Sequence, residues 1–169
     1  MQVTERTINE IFRNRMQRYG DRLAIEKKRK GVWEQATWNQ YYERSRSAGL
    51  GLLSIGVSKG DRVSLVSENR LEWLYADMGT LGIGAVLVPI YSTLTAEEIE
   101  FIVGHSESKV VIVENNEQLE KALSARKKCP RLEKIVVIES EDVKLMPQGV
   151  MSFADMMQAG SRKHAEDPT

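Results

Sequence analysis

Two short polar stretches, Ser67-Glu68-Asn69 and Tyr91-Ser92-Thr93, follow directly on apolar runs rich in valine and isoleucine. They offer hydroxyl, amide and carboxylate groups. If the runs are parallel strands, both stretches lie beyond carboxyl ends, where open α/β sheets gather their ligands. Asn69, Tyr91 and Thr93 are therefore the candidate binding residues. Topology gives them a place and says nothing of their chemistry. The remaining candidates have plainer explanations. Gly79-Thr80-Leu81-Gly82-Ile83-Gly84 has the composition of a phosphate cradle in the wrong order, G-x-x-G-x-G, and runs from a helix into a strand. The dinucleotide fingerprint runs from a strand into a helix. A closely packed helix exit is expected there. Lys27 to Lys30 before Gly31 reads as the solvated tip of a hairpin. His105 closes a helix with no Asp or Cys at ligand spacing, and His164 falls near the end of the chain. Neither suggests a metal site or a Ser-His pair. Cys129 has no histidine near it in sequence. Trp33, Trp38, Tyr41, Tyr42, Trp73 and Tyr75 are spread over separate elements, which suits core packing better than a platform for stacking bases. No catalytic residue and no metal ligand is assigned.

The elements that would position these residues are written in caps and periodicity. Thr95-Ala96-Glu97-Glu98 fits a capping box, with Leu94 and Ile99 at the positions of a hydrophobic staple. Thr7 with Glu10 and Thr37 with Gln40 repeat the box, and Asn69 with Glu72 is a looser version with Asn as the cap. Leu71, Leu74, Met78 and Leu81 then mark one helical face. Gly56 and Gly82 follow the last periodic residues, as C-terminal caps do. Four apolar runs lie between helices: 62–67, 85–90, 110–113 and 135–138. They lack alternation, as strands buried on both faces should. Their spacing leaves room for crossover helices, which predicts an α/β fold: a Rossmann-like, mostly parallel sheet flanked by helices. The sheet is expected over about 62–138, after a small antiparallel hairpin over about 23–37. A last helix is expected over 152–162. The domain is read as residues 1–163, with 164–169 a polar tail or a truncation point.

At 169 residues the chain has the size of one domain. Its 24 basic and 24 acidic side chains cancel, which argues against a nucleic-acid partner. One cysteine fits a reducing compartment. Met1 to Glu5 lack the pattern of a signal peptide, and the apolar runs are too short to span a bilayer. The expected location is cytoplasmic.

Several stretches resemble one family. They are "TINEIFRNRMQRYGDRLAI", "GVWEQATW", "GDRV" followed by "SENRLEW", "VPIYSTLT" and "SFADMMQAGSRK". From about Thr7 to Arg162 the chain is similar to the N-terminal part of an AMP-forming acyl-CoA synthetase. It most resembles the long-chain fatty acid branch of the adenylate-forming superfamily. The resemblance implies a full enzyme that uses ATP, Mg and CoA. It would convert a fatty acid to acyl-CoA, AMP and pyrophosphate through an acyl-adenylate, and it could associate with membranes. The family's Ser/Thr/Gly-rich phosphate loop, its ribose-binding aspartate and its C-terminal lysine do not occur in these 169 residues. The expectation is therefore a fragment that is inactive alone, binds no cofactor itself and partners the remainder of its own enzyme chain. Its exposed subdomain interface is a route to self-association. A stand-alone α/β binding or scaffold module is the alternative, and an independent Rossmann-like enzyme is a third reading.

Overall fold

The computed structural model describes residues 5–29, 31–141, 143 and 146–166. The chain opens with α1 (Ile8–Tyr19) and an antiparallel hairpin of β1 (Leu23–Arg29) and β2 (Val32–Thr37). The main body then runs α2 (Trp38–Ser54), β3 (Arg62–Val66), α3 (Leu71–Gly82), β4 (Val86–Ile90), α4 (Ala96–His105), β5 (Val110–Val113), α5 (Asn116–Arg126), β6 (Lys134–Val137), β7 (Val150–Ser152) and α6 (Phe153–Glu166). Strands β4-β3-β5-β6-β7 form one sheet in that order, all parallel.

Continuous apolar runs make sense in this sheet because both faces are covered. Val110 and Ile112 face one core with Leu52, Tyr75 and Met156, while Val111 and Val113 face a second with Ile99, Val103 and Leu119. The period of two along a strand thus serves two cores at once. Helices α2, α3 and α6 supply the first core, and α4 and α5 the second. Each Val or Ile so buried contributes about 1.5–3 kcal/mol of hydrophobic transfer.

The helix starts match the sequence at Thr37 and Thr95, where both capping boxes close in full. Thr7 accepts from the Glu10 amide, but the Glu10 carboxylate takes the Arg6 amide instead of that of Thr7, so this box is half made. The glycine-rich stretch is a helix exit, as its order suggests. A Cβ on Gly79 would stand 2.6 Å from the Ser45 carbonyl oxygen, so the glycine lets α2 and α3 touch backbone to backbone. Gly82 is not the cap. It ends the helix itself, Ile83 takes the cap position, and Gly84 at φ +74° makes the turn into β4.

Three further expectations shift. The sheet gains a strand, β7, from a stretch too short and mixed to declare itself. Ser152 ends that strand and accepts from the Asp155 amide, and α6 then continues past Arg162 through Glu166. Lys27 and Lys28 lie within β1, not at its tip, while Lys30 falls outside the described residues.

Strand β4 is a sheet edge. The Val86 amide donates inward to the Asp61 carbonyl. Alternation then turns the backbones of Leu87 and Pro89 outward. Proline has no N–H to offer, so one of the two outward positions lacks a donor and the edge is blunted against another strand.

Candidate functional site

The strand order reverses at β3, with β4 on one side and β5 on the other. For this order the ligand crevice belongs beyond the carboxyl ends of β3 and β5. Three strand-to-helix or strand-to-loop exits meet around it: Ser67–Arg70 after β3, Glu114–Asn115 after β5, and Glu139 after β6.

The crevice is filled by a side chain the sequence reading passed over. Arg70 is buried, with 6% of its side chain exposed. Its guanidinium meets Glu72 at 2.8 Å, Glu139 at 3.0 Å and Glu114 at 3.3 Å. Burial works against its charge, and the bonds and charges of Glu72 and Glu139 outweigh that and raise its pKa. The other Glu114 oxygen accepts from the Glu68 amide at 2.8 Å, which ties the β3 exit to β5. Arg70 also occupies the N-cap position of α3, in extended backbone and with no side-chain cap bond. Asn69 therefore does not cap this helix. The buried arginine takes that position and leaves Asn69 exposed in the preceding turn.

Asn69 and Tyr91 do come together. With Lys27, Ser67, Trp73 and Ser92 they line an open cavity of 610 Å³ on the β3–β4 side. Tyr91 is 80% exposed. The hairpin reaches over this ledge and brings Lys27 to it. Thr93 lines a neighbouring polar cavity of 400 Å³ with Glu68, Glu114, Asn115, Glu117 and Lys121. The loop between the two is anchored from α5: Gln118 Nε2 and Lys121 Nζ both donate to the Ser92 carbonyl, at 3.1 and 3.2 Å. A visible signal could have found the acidic members, since the runs "VVIVE" and "IVVIE" each close on a glutamate.

The other sequence candidates stay apart from this edge. His105 ends α4 with its ring stacked on Phe101, 5.7 Å between centroids. Cys129 is buried, donates to the Glu100 carbonyl, and has its pKa pushed up by burial, the opposite of what a nucleophile needs. Tyr41 and Tyr75 pack in the first core, and Phe12 and Trp38 each lay a ring against Tyr41. Burial, with the nearby Asp77 charge, pushes the Tyr41 phenol far above its usual range. Trp33 departs from the core expectation: it is exposed, and Lys28 lies over its ring.

The chemistry open to the crevice is narrow. Stabilising a triphosphate takes positive charge and free donors aimed at its oxygens. Here the buried cation is engaged by three carboxylates, and Glu68 and Glu117 add more. Among the described residues no group of three His, Cys, Asp or Glu could hold a metal ion. These residues do not fit a Mg-nucleotide, and no step of adenylation is derived through them.

The family model for AMP-binding enzymes matches residues 12–168. The chain belongs to the AMP-binding enzyme family. It is similar to a long-chain-fatty-acid–CoA ligase of Xenopus laevis, 30% identical over 154 residues, covering 91% of this chain and 21% of that protein. A long-chain-fatty-acid–CoA ligase of Homo sapiens is 31% identical over 155 residues, again 21% of its length. Among solved structures, the anthranilate CoA ligase AuaEII with anthranoyl-AMP superposes with a TM-score of 0.79 at 25% identity. The match covers 93% of this chain and 29% of that one. Coronafacic acid ligase of Pectobacterium brasiliense shares the fold at a TM-score of 0.78 and 23% identity, over 89% and 29%. The chain thus spans about a fifth of the length of these curated relatives. The α/β fold with its parallel sheet is that of adenylate-forming ligases.

Proposed function

We propose that this chain is the N-terminal α/β body of a long-chain fatty acid CoA ligase. The complete enzyme would join a fatty acid to CoA at the expense of ATP, through an acyl-adenylate, releasing AMP and pyrophosphate. ATP, Mg and CoA would be held by polypeptide beyond this body, which by itself turns nothing over. Similarity to ligases of which the chain spans 21% supports the reading. The observation that carries it is the closed charge cluster at the strand reversal. A sheet whose crevice holds Arg70 bound to Glu72, Glu114 and Glu139 is a scaffold at the point where a nucleotide-binding sheet would be open. Asn69 and Tyr91 then form a ledge, with Thr93 in the polar cavity beside it, at which this body meets ligand or the rest of the enzyme. Cytoplasmic location belongs to the same proposal, as does self-association through exposed Val86, Tyr91 and Phe101.

Titration calorimetry with Mg-ATP on the 169-residue chain is expected to show no binding tighter than about 1 mM. Micromolar binding, or release of AMP from fatty acid, ATP and CoA by this chain alone, overturns the scaffold reading.

A further inference from the structure

Helices α1, α2 and α3 enclose a cavity of 520 Å³. Gly82 and Ile83 on its wall lead into β4, so it lies toward the amino ends of the strands, whereas the ledge lies at their carboxyl ends. Phe12, Tyr42, Leu50, Leu53, Met78 and Ile83 give it an apolar body, with the rings of Phe12 and Tyr42 5.7 Å apart between centroids. Charge reaches it from Glu10, Arg13 and Arg46. The Glu10 carboxylate takes the Arg6 amide. Arg13 is exposed and has no ion-pair or hydrogen-bond partner among the described residues. Asn9 Nδ2 donates to the Leu81 carbonyl at 2.9 Å and holds α1 over the gap, although no residue of that helix is fully buried.

Two details separate this cavity from an ordinary packing gap. Ser45 on its wall is 2% exposed, and its hydroxyl finds no hydrogen-bond partner among the described residues. A serine inside a helix can turn to the carbonyl four residues back, as Ser47 does with Glu43. Ser45 does not, and a buried hydroxyl left unpaired points to a missing partner. The second detail is Gly82. A Cβ built there meets no heavy atom within 4 Å, whereas at Gly49 and Gly79 it would strike backbone at 2.8 and 2.6 Å. Those two glycines serve the contact of α2 with α3, and Gly82 leaves open space beside the cavity.

We infer that this cavity binds a small amphipathic monoanion, with a compact aromatic body among Phe12, Tyr42 and Met78 and a carboxylate or sulfonate head at Arg13 and Ser45. A guanidinium matches such a head with paired donors. Two basic side chains against one acidic favour an anion over a cation. One turn of a helix, about 10 Å across and 5.4 Å long, would already fill the volume, so a docked peptide helix is too large. The inference stands whether or not the ligase reading does.

The probe is 2-naphthalenesulfonate, which cannot be activated as an acyl donor and so reports binding and not turnover. Calorimetry on the 169-residue chain should give a Kd of about 100 μM, weakening as salt rises. The neutral 2-naphthol should bind about tenfold more weakly. Arg13→Gln should weaken the sulfonate about tenfold and Ser45→Ala about threefold, the latter without lowering the melting temperature of the free chain, since its hydroxyl has no bond to lose. Gly82→Leu should fill the open space and weaken it at least tenfold. Arg13 is exposed, so an unchanged circular dichroism spectrum should accompany its loss. Amide chemical shifts should move at the residues of α1, α2 and α3 named above. No saturable binding up to about 5 mM overturns the inference. So do binding that any of the three variants leaves unchanged, equal affinity for 2-naphthol, and shifts centred on Trp73 and Tyr91 instead.

Discussion

The carboxyl edge of the sheet has two halves that obey the same topological rule and have opposite chemistry. Beyond β3, β5 and β6 the space is closed by one buried guanidinium and three carboxylates. Beyond β3 and β4 it is an open ledge, with Asn69 and Tyr91 exposed and Lys27 leaning in from the hairpin. A strand order says where a ligand could lie. Which half stays open is decided by whether a side chain long enough to reach across finds enough counter-charge to stay there. Arg70 does, because the exits of β5 and β6 and the first turn of α3 each present a glutamate.

The sharpest way to break this contrast is to remove the guanidinium. Arg70→Met would leave three carboxylates facing one another with their shared counter-ion gone. Removing a partner from a fully buried ion pair costs about 3–5 kcal/mol, and because Glu72, Glu114 and Glu139 keep some contact with water the loss here should be about 2–3 kcal/mol. Urea unfolding should show a lower midpoint with the slope unchanged. Asn69→Ala, one residue away on the open half, should change stability by no more than about 0.5 kcal/mol. Equal effects of the two would erase the distinction between the halves.

A smaller effect sharpens the same point through helix caps. Thr95 opens the helix that follows the ledge, and its hydroxyl accepts from the Glu98 amide at 3.3 Å while the Glu98 carboxylate accepts from the Thr95 amide at 2.9 Å. Those bonds hold the Glu98 carboxyl below its usual range. Thr95→Ala should cost about 1 kcal/mol. Since Asn69 makes no such bond, its alanine variant should show no cap loss at all; a loss matching that of Thr95 would restore Asn69 as the cap.

What was legible in the sequence follows the range of the interactions. Caps and periodicity are local, so Thr37, Thr95 and the strand runs declare themselves within four residues. Their parallel pairing follows from run spacing alone. Arg70 was not legible because its partners lie 2, 44 and 69 residues away in sequence, and nothing near position 70 announces Glu114 or Glu139. Without them "SENR" reads as an Asn cap followed by a solvated arginine. Lys27 failed for the related reason that a run of four basic residues looks like a turn unless the hairpin register is known. Tyr91 and Asn69 are selected by the rule that ligands gather beyond strand ends, which needs only topology.

Asp77 tests how much the partners of Arg70 matter, because it lies on the same helix, α3, with no ion-pair partner among the described residues. Burial holds its carboxyl above the usual range, and nothing opposes that effect. The sign follows directly. A carboxyl with a raised folded-state pKa favours the fold while protonated, and that contribution is lost as pH rises through the folded value. At neutral pH the chain therefore carries an ionised carboxylate the fold would rather not hold. Asp77→Asn keeps the shape and removes the charge. Partial exposure keeps the gain below about 1 kcal/mol, or about 1–3 °C in melting temperature at pH 7. At about pH 3, where the wild-type carboxyl is protonated in the folded and unfolded states alike, the gain should vanish. A variant that melts higher by the same amount at both pH values would place the benefit in packing rather than in charge. One that melts lower at pH 7 would mean that Asp77 has a favourable partner after all, and that burial without counter-charge is not what separates it from Arg70.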